Sequence, residues 1–294
     1  MVIGEHAVVY GYPAIVCAVD QRITVRIETR SDLLVRIDTS VAPPFEGRIE
    51  ALPDDGPLRI VSTILRTMRS APSDGVDIAI SSDIDPTLGL GSSAAVIVAL
   101  IGAIDALDCV GLGPRELHKQ ALKIVRHVQG RGSGADLAAS LQGGCLAYHL
   151  VNEPVGGAEI TSLPIPPSLS LRYCGYKTPT SEVLARVAAA RSGNEARFDA
   201  LYEQMGRSAE AAIRATQRQD WKDLASEMTA YQELMRDLGV SDPTIQKTIE
   251  DAESALAAKI SGSGLGDCVV ALGPVPDRFT PVQIATEGLL IHDA

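Results

Sequence analysis

The chain has 294 residues, 46% of them hydrophobic and 21% charged, and a net charge of −11. That length supports one large domain or two intimate ones around a full apolar core. The acidic balance argues against nucleic acid as a partner, although a local nest of backbone N–H groups can still hold a small anion. No run approaches the ~18 consecutive apolar residues of a membrane span, so no membrane association is expected. Met1-Val-Ile-Gly-Glu-His does not read as a signal peptide. The five cysteines (Cys17, Cys109, Cys145, Cys174 and Cys268) lack CxxC spacing. They point to free thiols in a reducing cytoplasm rather than to zinc or a disulfide framework.

In chain order, Ala14–Val19 and Ile23–Ile27 read as strands, the second with period-two alternation. Leu33–Ile37 and Val76–Ser81 are further β-like runs. Pro86-Thr-Leu-Gly-Leu-Gly-Ser-Ser-Ala-Ala95 then leads into an apolar helix over Ser93–Leu107, and a second helix is expected over Pro114–Val128, with proline near its start. The run Gly130-Arg-Gly-Ser-Gly134 breaks that helix, and Asp136–Leu141 begins another helical turn. Cys145–Leu150 reads as a strand.

Val151–Ser168, rich in proline and glycine, is expected to separate two lobes, residues 1–155 and 156–294. Beyond it come a strand over Ser170–Tyr176 and helices near 181–192, 195–217, 220–238 and 242–257. The turn Ser261-Gly-Ser-Gly-Leu-Gly266 precedes a strand over Cys268–Leu272. Mixed β/α, then mostly helix, then a returning strand is the order of an α+β fold.

Three glycine-rich turns carry the chemistry. Gly89 and Gly91 remove the Cβ atoms that keep a ligand off the backbone. The helix behind them points unpaired N–H groups and a partial positive charge at whatever sits there, a combination suited to phosphate. The same string also reads as an ordinary helix cap. Asp136, after Gln129-Gly-Arg-Gly-Ser-Gly-Ala, reads either as a helix cap or as a carboxylate able to take a proton. Lys177 follows a strand and precedes a helix, and reads as either a solvated lysine or a cation for a transferring phosphate. Thr180 or Ser181 is expected to cap that helix. His118, His127, His149 and His292 show no metal-ligand spacing.

Taken together, Gly4-Glu-His-Ala-Val-Val-Tyr-Gly-Tyr-Pro-Ala14, Pro86–Ala95 and Lys259-Ile-Ser-Gly-Ser-Gly-Leu-Gly-Asp-Cys268 resemble, in order, the three motifs of the GHMP superfamily. This is the family of galactokinase, homoserine kinase, mevalonate kinase and phosphomevalonate kinase. The resemblance implies two α+β lobes with the active site in the cleft between them. It also implies transfer of the γ-phosphoryl group of ATP to the hydroxyl of a small alcohol, with Mg²⁺ as the metal.

On that resemblance, Pro86, Leu88, Gly89, Leu90, Gly91, Ser92, Ser93 and Ala94 hold the ATP phosphates. Ser92 or Ser93 offers Mg²⁺ the hard oxygen it prefers. Asp136 falls at the place of the catalytic base and Lys177 supplies a cation. Glu5, His6, Ser133, Gly134, Gly262, Ser263 and Gly264 line the acceptor site. The first motif speaks for mevalonate, the precursor of isoprenoids, as the acceptor. The middle segment, Gln129-Gly…Gly-Ser-Gly-x-Asp136, is closer to the phosphomevalonate branch, with 5-phosphomevalonate as the acceptor.

Two positions depart from the family pattern. Val125 stands where a metal-binding glutamate is usual. The chain also begins after the place of a lysine on the family's first strand, so that either the start is truncated or Lys177 or Arg131 substitutes. A decarboxylating relative and a non-catalytic binding member therefore stay open beside the kinase, as does a homodimer.

Overall fold

The alternation Ile23-Thr-Val-Arg-Ile-Glu-Thr-Arg30 forms a strand with alternately half-buried and exposed residues, as a sheet with one covered face requires. In the computed structural model, which describes residues 1–69, 74–85, 89–130, 132–151 and 157–292, the strands are β1 (Ala14–Cys17), β2 (Ile23–Arg30), β3 (Val35–Thr39), β4 (Phe45–Gly47), β5 (Gly75–Ser82), β6 (Cys145–Val151), β7 (Gly157–Leu163), β8 (Leu169–Lys177), β9 (Ala257–Ser261), β10 (Gly266–Leu272) and β11 (Thr280–Val282). The helices are α1 (Arg59–Met68), α2 (Ser92–Leu107), α3 (Pro114–Gln129), α4 (Ala135–Gln142), α5 (Thr180–Arg191), α6 (Glu195–Gln217), α7 (Trp221–Asp237) and α8 (Pro243–Glu250). The fold is α+β. Among the described residues no helix is long and apolar enough to cross a membrane.

Two compact units form, and they interleave along the chain. One contains Gln21–Asp85, Gly91–Gln142 and Glu287–Ala294; the other contains Met1–Asp20, Pro86–Leu90 and Gly143–Thr286. Thus Met1–Asp20 belongs with the later half of the sequence, whereas a single division near residue 155 would have placed it with the first half. The stretch 151–168, read as a linker, includes β7, which pairs with β6 from Cys145↔Leu163 to Val151↔Gly157.

In the first of these units the sheet order is β2-β5-β3-β4. Strand β5 is antiparallel to β2 and parallel to β3. Helix α2 is apolar nearly all round because it is buried nearly all round, packing on β2 and among α1, α3 and α4. Proline opens α3 at its first helical position, where its missing N–H costs nothing. The C-terminal segment returns here: Arg22 donates to the carbonyl of Gly288 at 2.9 Å, and Gly288 lies so close to Leu141 that a Cβ would come within 2.3 Å of its backbone.

The other unit holds two sheets, β1-β6-β7 and β11-β8-β10-β9. Its core gathers Phe198, Tyr202, Met205, Met228, Tyr231 and Met235 from α6 and α7 against the fully buried strand β10. Helix α8 ends at Glu250, short of the expected residue 257, because Ala257–Ser261 is strand β9, paired with β10 from Leu272↔Ala257 to Cys268↔Ser261. Helix α5 starts at Thr180 with Pro179 as its cap residue and no side-chain capping bond, so neither Thr180 nor Ser181 caps it.

Candidate active site

The expected site residues fall into two sets, one in each unit. Gly91, in the unit built on α2, and Gly89, in the other unit, have φ of 77° and 62°, a region that glycine enters freely and other residues do not. The cap residue of α2, Gly91, makes no side-chain capping bond, which leaves the first-turn N–H groups available to an acceptor. Ser92 is half-buried, Ser93 exposed and Ala94 buried. Pro86 and Leu88 lie outside the described residues, as does Arg131.

Asp136 sits in the first turn of α4, and its Cβ lies 3.8 Å from where a Cβ on Gly91 would project. The loop before it is fixed from several sides. Ser133 Oγ accepts from the Ala135 N–H at 3.3 Å, and the carbonyl of Gly134 accepts from His118 Nε2 at 2.9 Å. The carbonyl of Gly134 also closes the first turn of α4 through the Ala138 N–H. Those bonds cap the helix without Asp136, whose Oδ1 accepts from the neighbouring Leu137 N–H at 3.0 Å. The carboxylate is left exposed beside the mouth of α2. Surrounding protein raises its pKa, with the Leu137 N–H and His118 acting in the opposite direction. Water at the exposed side chain tempers that shift.

Val125, at the place of the usual metal-binding glutamate, is buried and packs under the glycine loop. A Cβ on Gly132 would come within 2.4 Å of Val125 Cγ1. Its role is packing.

In the other unit, Ile3 bridges to Ile15, and the chain then turns through Gly4, Glu5 and His6. Glu5 and His6 are 3% and 6% exposed. Glu5 was expected at the acceptor; its Oε1 accepts from Lys259 Nζ at 2.6 Å, an ion pair in which Lys259 is fully buried. The Glu5 carbonyl accepts from Tyr231 Oη at 2.6 Å. Glu5 Oε2 and Ser263 Oγ are buried without hydrogen-bond partners among the described residues. His6, with φ 61°, donates from Nε2 to the carbonyl of Ser263 at 2.8 Å. Burial lowers the pKa of His6, and the Ser263 carbonyl works against the shift. The first and third motifs are therefore one construction, with Glu5–Lys259 and His6–Ser263 as its two ties.

Backbone in the left-handed region continues from Gly264 to Asp267. Gly264 is required by space as well, since a Cβ there would lie 2.4 Å from the Val240 carbonyl oxygen. Lys177, at the end of β8, places Nζ 2.9 Å from Asp267 Oδ1. Asp267 in turn lies against Gly89, where a Cβ would be 2.8 Å from its Oδ1.

Lys259 and Asp267 were given no role of their own by the sequence, although each carried a signal: a lysine on an otherwise apolar strand, and a carboxylate ending a glycine run. Tyr231, expected within a helix as a core contact, is buried on α7.

The N-terminal domain of GHMP kinases matches residues 58–144, and the GHMP kinase C-terminal domain matches residues 212–285. A mevalonate kinase of Thermococcus sibiricus is 33% identical over 99% of this chain and 95% of that protein. One of Archaeoglobus fulgidus is 30% identical over 99% of this chain and 96% of that protein. The crystal structure of L. major mevalonate kinase in complex with R-mevalonate superposes with a TM-score of 0.75 at 26% identity, covering 94% of this chain and 85% of that one. Both domains of one family, in order, and likeness along nearly the full length lead to a single conclusion: the chain belongs to the GHMP kinases.

Proposed function

We propose that the chain transfers the γ-phosphoryl group of ATP to the hydroxyl of mevalonate, within isoprenoid precursor synthesis. The observation that carries the chemistry is the pairing of Gly91, at the uncapped mouth of α2, with Asp136. Phosphoryl transfer depends on positioning and charge neutralisation more than on covalent help. The N–H groups of Ser92, Ser93 and Ala94 hold phosphate oxygens, and the Asp136 carboxylate accepts the proton of the attacking hydroxyl. The acceptor is assigned from the full-length likeness to mevalonate kinases. Ser133 and Gly134, which fix Asp136, and Glu5, His6, Gly262, Ser263 and Gly264 are read as acceptor-site residues, with Glu5 held in place by Lys259.

The donor set fits Mg²⁺. The hydroxyls of Ser92 and Ser93 are hard oxygens that cap nothing in α2. The described residues hold no cluster of three His, Cys, Asp or Glu. Few protein ligands, completed by substrate phosphates, is the usual arrangement for this ion. When bound, Mg²⁺ neutralises charge on the phosphates.

We place the protein in the cytoplasm. Cys17 and Cys145 face each other across β1 and β6 and both are free thiols, which suits a reducing compartment.

The test is ADP release with ATP, Mg²⁺ and (R)-mevalonate, and separately with 5-phosphomevalonate. Release with mevalonate alone is expected. Release with 5-phosphomevalonate alone would move the assignment to the other branch, and release with neither would remove it.

A further inference from the structure

We infer that Asp267 is a ligand of the divalent cation that accompanies the nucleotide, and that it makes nucleotide binding itself dependent on that cation. The inference rests on the kinase reading and names a residue which that reading does not use.

Asp267 stands at the end of the third glycine run with φ 61°, a conformation in which a residue bearing a Cβ is strained. Its side chain is only 8% exposed. Oδ1 accepts no hydrogen bond among the described residues, although Lys177 Nζ approaches to 2.9 Å. Two glycines wall the carboxylate. A Cβ on Gly89 would sit 2.8 Å from Oδ1, and one on Gly262 would sit 3.4 Å from Oδ2.

The carboxylate is therefore laid against the backbone turn that the motif assigns to phosphate. A carboxylate and a polyphosphate at one turn repel each other unless a cation lies between them. Lys177 supplies one positive charge from a side chain that is 41% exposed. A divalent cation serves better, because it takes carboxylate and phosphate oxygens together. Lys177 is then freed to meet phosphate.

The test is calorimetric titration of ATP into the full chain, with Mg²⁺ and with EDTA, for the wild type, Asp267→Asn and Asp267→Gly. Glycine is the second variant because it relaxes the backbone at φ 61° while also removing the charge. The wild type is expected to bind ATP roughly tenfold or more tightly with Mg²⁺ than without, the range typical of a lost metal contact. Both variants should shrink that ratio severalfold, in part by binding metal-free ATP better than the wild type does. An Asp267–Lys177 pair that is merely structural predicts a lower Tm with the ratio unchanged, and that result would overturn the inference while leaving the kinase reading intact. A wild type that binds no ATP under either condition would overturn both.

Discussion

Lys259→Met tests the construction that joins the first motif to the third. Lys259 is fully buried, Glu5 is 3% exposed, and Nζ and Oε1 are 2.6 Å apart. Removing one partner of such a pair strands the other charge, at a cost of about 3–5 kcal/mol. The upper part of that range is expected, because Glu5 Oε2 already lacks a hydrogen-bond partner and Oε1 would join it. At ~2–4 °C per kcal/mol for domains of this size, Tm should fall by roughly 10 °C or more. Replacing both partners with apolar residues, Glu5→Leu with Lys259→Met, leaves no stranded charge. It should be less destabilised than Lys259→Met alone, giving a coupling of about 2 kcal/mol. Urea denaturation of the wild type, both single variants and the double variant measures all four corners. A Lys259→Met protein within ~1 kcal/mol of wild type, or single effects that simply add, would refute the idea that this pair fixes the Gly4–Ala7 turn.

Gly264→Ala should lose more than ~2 kcal/mol in the same denaturation experiment, from positive φ together with the 2.4 Å approach to the Val240 carbonyl; an unchanged midpoint would contradict the packing described. Stability should also depend on pH on the acid side. Burial pushes His6 and His118 below the ordinary 6.5, so the unfolded chain takes up their protons at a higher pH than the folded one does. Tm should be level with respect to these groups above about pH 7.5 and fall as pH drops through 6.5. His118→Gln should flatten that fall, and an identical slope in the variant would remove His118 from the account.

What was legible in the sequence was local. The start of α2 is written in Gly-Leu-Gly-Ser-Ser followed by an apolar run, and the structure begins the helix at Ser92. Proline at the head of α3 is legible for the same reason. The misreadings are non-local. The helix expected to run to 257 ends at Glu250, and the strand Ala257–Ser261, to which the sequence assigned no element, is defined by its pairing with β10. Strand β7 is hidden by the glycine and proline around it, and only its partner β6 reveals it. The interleaving of the two units follows from pairings such as β1 with β6 and Val19 with Ile284, which no local composition announces. The site shows the same limit. Nothing local in the sequence announces the partner of Glu5, 254 positions away, and the presence of Asp267 against Gly89 follows from the folded geometry alone.

The measurement closest to the central claim compares Asp136→Asn with the wild type for both turnover and ATP affinity. If the Asp136 carboxylate takes the proton of the acceptor hydroxyl beside the mouth of α2, kcat with (R)-mevalonate should fall about 10²–10⁴-fold while the Kd for ATP with Mg²⁺ stays within about twofold. A variant that turns over at the wild-type rate, or one that loses ATP binding and turnover together, would contradict it.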